Sequence, residues 1–94
     1  MKTYVIRRRG NWKNAAELST SAGVSARVGN EEMPDRVRWI RSYVVKEDDG
    51  RLGTVCIYQG KDEDAIREHA RLSGFPASKI TPVSGIIDPT TAAG

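Results

Sequence analysis

The sequence predicts an α+β sandwich of one four-stranded sheet with two helices on one face. Three observations carry that prediction. The elements read in the order β-α-β-β-α-β. An Asp48-Asp49-Gly50 turn joins the two middle strands as a hairpin. The chain of 94 residues is long enough for one small domain. The right-handed crossover rule, applied to both βαβ halves, gives the antiparallel ferredoxin-like sandwich.

Each element has its local cause. Residues 2–9 open Lys-Thr-Tyr-Val-Ile, a β-branched and aromatic run that predicts a strand, broken at Gly10-Asn11. Asn14-Ala15-Ala16-Glu17 has capping-box spacing and starts a helix expected to run to about Val28. That helix presents Ala15, Leu18, Ala22 and Ala26 at helical spacing and is poor in large apolar residues. Gly29-Asn30 is expected to end it, and an acidic linker, residues 31–35, follows. Arg36 to Lys46 is the strongest strand, and Leu52 to Gln59 returns from the hairpin. Asp62 caps the second helix, Glu63 and Asp64 suit its positive end, and Gly74 with Pro76 stops it. Lys79 to about Ile87 forms the last strand. The domain spans residues 1–87, and 88–94 read as a loose tail.

Hydrophobic residues make up 38% and charged residues 29% of the chain. No apolar run reaches the ~20 residues of a membrane span, and no apolar leader opens the chain. A single cysteine, Cys56, excludes an internal disulfide framework and a multi-cysteine zinc site. These features predict a cytoplasmic protein. The net charge is +3, but Lys2, Arg7, Arg8, Arg9 and Lys13 all precede the first acid, Glu17. The remainder is therefore net −2 (+3 minus +5). Arg7-Arg8-Arg9 reads either as an anion contact or as a solvated strand end paired with Glu47, Asp48 or Asp49.

Strict alternation along the strands separates two sets of side chains. The smooth set, Val5, Ile40, Val44, Val55 and Ile57, is expected to face the helices. The other set gathers Tyr4, Ile6, Arg8, Trp39, Arg41, Tyr43, Cys56 and Tyr58 on a face that nothing within the chain covers. Such a face calls for a partner. A second copy would pair sheet to sheet as a dimeric α/β barrel. A small-molecule or anionic ligand would use Trp39, Arg41, Tyr43, Tyr58 and Arg8. Nucleic acid is not expected, because Gly53 and Val55 stand where an RNA-recognition strand carries stacking aromatics.

His69, the single histidine, borders the apolar stripe of helix two. It reads as a metal ligand, a general base or a packed residue at the core edge, the last being the default for a lone histidine. Cys56, expected on the opposite face of the sheet, is an awkward metal partner for it. No nucleophile–base pair and no phosphate loop accompany these residues.

Three segments carry a family resemblance: Val37-Arg-Trp-Ile-Arg-Ser-Tyr-Val-Val45, Gly53-Thr-Val-Cys-Ile-Tyr58, and Ala65 through Gly74-Phe-Pro-Ala77. Over residues 2–84 the chain resembles a family of small bacterial ferredoxin-like domains labelled nickel-responsive or nickel-binding. The resemblance implies a homodimer and nickel as a possible cofactor, with His69 as the metal residue. It also implies histidines near the end of strand one, where this chain has Arg7-Arg8-Arg9-Gly10. Arginines repel a cation and suit an acidic ligand, so a metal-free member of the family is the more economical expectation. The function expected is therefore small-ligand binding by a homodimer. The alternatives are a cofactor-free barrel enzyme, monooxygenase or isomerase in type, acting on a small organic molecule, and a pure protein-interaction module.

Overall fold

The computed structural model describes residues 1–74 and 77–93. Its strands are β1 (Lys2–Trp12), β2 (Val37–Lys46), β3 (Leu52–Gly60) and β4 (Lys79–Pro82). Its helices are α1 (Ala15–Arg27), α2 (Glu63–Ser73) and a short α3 (Pro89–Ala93), with a π-helical turn at Val28–Glu32. The sheet order is β2-β3-β1-β4 with every pairing antiparallel, the ferredoxin-like arrangement. α1 and α2 lie on one face, and the sheet is open.

The caps act as the sequence implies. The Asn14 side chain accepts from Glu17 N, and Glu17 Oε1 accepts from Lys13 N. Asp62 Oδ1 accepts from Ala65 N at 2.8 Å, and Gly74 closes α2 at φ +85°. That left-handed conformation favours glycine. The stop expected at Pro76, with Phe75 before it, lies outside the described residues.

Three expectations are corrected. Gly10-Asn11 does not end β1. The strand bulges between Arg8 and Trp12, with Gly10 at φ +59° and its carbonyl accepting from Arg51 Nε at 2.6 Å. Trp12 thus rejoins β3 opposite Leu52 and is buried. Gly29-Asn30 does not stop the helical path, which widens into the π-turn and leaves Val28 in the core. β4 ends at Pro82, not near Ile87, and Ile86 and Ile87 are exposed. The tail carries a capped turn, Asp88 Oδ1 accepting from Thr91 N at 2.9 Å.

The fourth difference matters most for function: in β1 and β3 the sheet faces are exchanged. Tyr4, Ile6, Arg8, Cys56 and Tyr58 face the helices and are buried. Val5, Val55 and Ile57 lie on the open face, each half-buried. The cause is volume. α1 turns mostly Ala and Ser toward the interior, with Leu18 the one large residue over the cavity, so large side chains from the sheet occupy much of the space beneath it. Within β2 a bulge also breaks the alternation. Trp39 pairs with Tyr58 and Arg41 with the next residue, Ile57, leaving Ile40 extra. Trp39, Ser42 and Val44 therefore face the helices, while Arg41 and Tyr43 join Ile57 and Val55 on the outer face.

Candidate functional site

The core runs through Tyr4, Ile6, Val28, Met33, Val37, Tyr58, Ala65 and Ile66. It is filled from α2 and from the last turn of α1. Ahead of that turn α1 is tied to the sheet at Ser21, whose Oγ accepts from Trp12 Nε1 at 2.8 Å. A cavity of about 280 Å³ remains between them. Ala15, Leu18, Ser19, Ala22 and Ser25 roof it from α1. Arg8 and Trp12 from β1, Trp39, Ser42 and Val44 from β2, and Thr54, Cys56 and Tyr58 from β3 floor it. Trp39 is 36% and Val44 54% exposed, so one side meets solvent. The volume lies near the lower end of small-molecule sites.

The aromatic wall is fixed by a chain of contacts. Trp39 stacks on Tyr58 with ring centroids 6.2 Å apart and an interplanar angle of 13°. Trp39 Nε1 donates to Ser42 Oγ at 2.9 Å, and Ser42 Oγ donates to Cys56 Sγ at 2.9 Å. The Tyr58 hydroxyl bonds Ser25 Oγ at 2.7 Å, tying floor to roof. Burial pushes the Tyr58 phenol above its ordinary range, against the lowering effects of Ser25 and Arg8. Tyr58 therefore stays protonated and neutral at pH 7.

Arg8 is 1% exposed, and its Nη1 lies 3.7 Å from Cys56 Sγ. Arg7 behaves differently. Its guanidinium forms a 2.6 Å ion pair with Glu47, the paired-strand-end reading of the arginine run. Arg9 is exposed. Of the residues expected to bind a ligand, Arg8, Trp39 and Tyr58 thus meet at one cavity. Arg41 and Tyr43 lie across the sheet from it, so the five do not form a single site within the chain.

His69 is packed. It is 1% exposed, its Nε2 stands 3.0 Å from the Ser25 carbonyl, and its ring meets Tyr58 edge-on at 5.2 Å. A carbonyl only accepts, so Nε2 carries the proton. Desolvation lowers the imidazole pKa, Arg8 adds to the lowering, and the Ser25 bond opposes it. The ring is neutral at pH 7 and does not line the cavity.

Nickel requires several convergent imidazole, thiolate or carboxylate donors. Among the described residues no three such side chains stand together. His69 Nε2 is committed as a donor, and the buried Arg8 charge lies close enough to act on the ring. Cys56 lies on the helix side of the sheet, not across it as expected, yet its sulfur accepts from Ser42. This donor set does not fit a nickel ion.

Sequence reasoning missed Trp12, Ser25 and Thr54 as site residues. The signal for the roof was present in Ala15, Leu18, Ala22 and Ser25, a helical stripe of mostly small residues. Trp12 was hidden by the bulge.

A family model described as nickel responsive protein SCO4226-like matches residues 4–83. The chain is also similar in fold to SCO4226 from Streptomyces coelicolor A3(2). The TM-score is 0.71 at 15% identity, covering 90% of this chain and 99% of that one. Comparison with curated protein sequences gives no match. No helix among the described residues is long and apolar enough to cross a membrane. The chain belongs to the SCO4226-like family.

Proposed function

We propose that this member of the SCO4226-like family binds a small organic molecule in the cavity beneath α1 and does so as a homodimer. The observation that carries the reading is the cavity itself, about 280 Å³ walled by Trp12, Trp39 and Tyr58. An interior normally closes such a gap, because unfilled volume forfeits packing. Here a hydrogen-bonded frame holds it open. Binding is preferred to catalysis because Arg41 and Tyr43, which the barrel-enzyme alternative needs beside Trp39 and Tyr58, lie on the other face. His69 is likewise turned away from any substrate there. Nickel has no part in this reading, since the donor set does not fit it.

Support for the second copy comes from the outer face. Val5, Val55, Ile57, Val45 and Tyr43 form a mainly apolar surface, with Arg41 among them, on the side of the sheet away from α1 and α2, and Tyr43 is 54% exposed.

Two measurements test the reading. Titration with 1-naphthamide, followed by amide shifts, is expected to move Ser19, Ala22, Ser42 and Thr54. Ala22→Phe is expected to abolish those shifts by filling the roof. Shifts elsewhere, or none, contradict the site. Native mass spectra are expected to show a dimer whose mass is unchanged by added nickel, and Ile57→Lys is expected to give monomer. Whole-number nickel increments would restore the metal reading.

A further inference from the structure

Of the residues that line the cavity, Arg8 alone carries a charge. It is set in a wall otherwise formed by aromatic, aliphatic and small polar side chains. Arg8 pairs across the β1/β3 ladder with Thr54, so the two side chains stand together on the helix side. Thr54 is 3% exposed, and its Oγ1 is buried with no hydrogen-bond partner among the described residues. The other buried hydroxyls of the wall are engaged. Ser25 holds Tyr58, and Ser42 joins Trp39 to Cys56. A buried hydroxyl left without a partner is normally selected against. An acceptor placed beside Thr54 and Arg8 satisfies it, and a negative charge complements the guanidinium.

We infer that the cavity selects an aromatic carboxylate, its ring against Trp39 and Tyr58 and its acid group between Arg8 and the Thr54 hydroxyl. The inference rests on the proposed reading of the cavity as the binding site. It adds the chemical class: an arene acid small enough for about 280 Å³. A neutral arene of the same shape gains the stacking but neither the charge nor the charge-assisted hydrogen bond. A cation of that shape meets Arg8 as a like charge.

The test is calorimetric titration of the full chain with 1-naphthoate and with 1-naphthamide, repeated on Thr54→Val, Arg8→Met and Ala22→Phe. Naphthoate is expected to bind at least about tenfold more tightly than naphthamide, a difference of ~1.4 kcal/mol. Thr54→Val is close in shape to the native residue. It is expected to weaken naphthoate by roughly threefold or more and to narrow the preference. Arg8→Met should remove the preference, but it alters a buried residue, so Thr54→Val carries the test if that variant does not fold. Equal affinity for both probes, blocked by Ala22→Phe, overturns the acidic class and leaves the cavity reading standing. No binding of either probe overturns both. Naphthoate binding that survives Ala22→Phe places the site elsewhere and overturns the inference.

Discussion

The two long helices lie on the same sheet and do opposite things. α2 buries Ala65, Ile66, His69, Ala70 and Ser73. α1 is two residues longer and buries only Ser25. The difference begins in composition. α2 has a concentrated apolar stripe opposite a charged face, with Glu63, Arg67, Glu68 and Arg71 turned outward and paired. α1 reads Ala-Ala-Glu-Leu-Ser-Thr-Ser-Ala-Gly-Val and carries little that can span the gap to a sheet. Tyr58 sits between the two, touching His69 on one side and Ser25 on the other. One helix anchors the fold and the other roofs a space. A helix too weakly apolar to pack on its own is held by the Asn14 cap, by the Trp12–Ser21 hydrogen bond at its middle, and by Val24 and Val28 in the core.

The largest expected contrast is between deletions in the two helices. Ile66 is 1% exposed, and its Cδ1 lies 2.7 Å from where a Gly60 Cβ would stand. Ile66→Ala should cost about 2–5 kcal/mol in chemical denaturation. Leu18→Ala, on the half-buried roof, should cost about 1 kcal/mol or less. Equal losses would break the comparison.

Additions should show the reverse. Ala70→Leu inserts volume into a closed interface and should destabilise by about 1–3 kcal/mol. Ala22→Leu extends into the cavity and should leave stability unchanged or raise it by up to about 1 kcal/mol. A penalty at both positions would mean that the space beneath α1 is not open to filling.

The smallest effect sharpens the account of α2. Burial holds the folded His69 pKa below its ordinary value of 6.5. Between the two values the unfolded chain binds a proton that the folded chain refuses. The stabilisation is therefore complete above pH ~6.5 and is lost as the pH falls toward the folded value. Melting temperatures should decline over that window, and His69→Gln, whose amide can still donate to the Ser25 carbonyl, should flatten the decline. A slope of opposite sign would mean that the ring is charged in the folded state.

Most of the fold was legible in the sequence because its punctuation is local. Asn14, Asp62, Gly74 and the Asp49-Gly50 turn each act within a few residues of where they stand, and each is found in its expected role. The choice of sheet face is not local. It depends on which helix is too small to fill the interior, and on a bulge at Ile40 that shifts the alternation by one residue. Strict alternation placed Trp39 with Arg41 and Tyr43. The bulge puts Trp39 on the helix side, beside Tyr58. The site was legible to the same degree. Arg8, Trp39 and Tyr58 were identifiable as residue types suited to a ligand, but their meeting place required the small-residue roof to be read as a deficit of volume. His69 followed the default for a lone histidine, packed at the core, and its neutrality depends on burial that no spacing rule supplies.

On the proposed reading the space beneath α1 is a site and not a packing defect. Thermal melts of the native chain and of Ala22→Phe, each with and without 1-naphthoate, test it most directly. A ligand that binds only the folded state raises the melting temperature in proportion to its occupancy. Naphthoate is expected to raise the native midpoint. Ala22→Phe is expected to melt at or above the native temperature without ligand and not to respond to it. A variant that melts lower and still responds would contradict the claim.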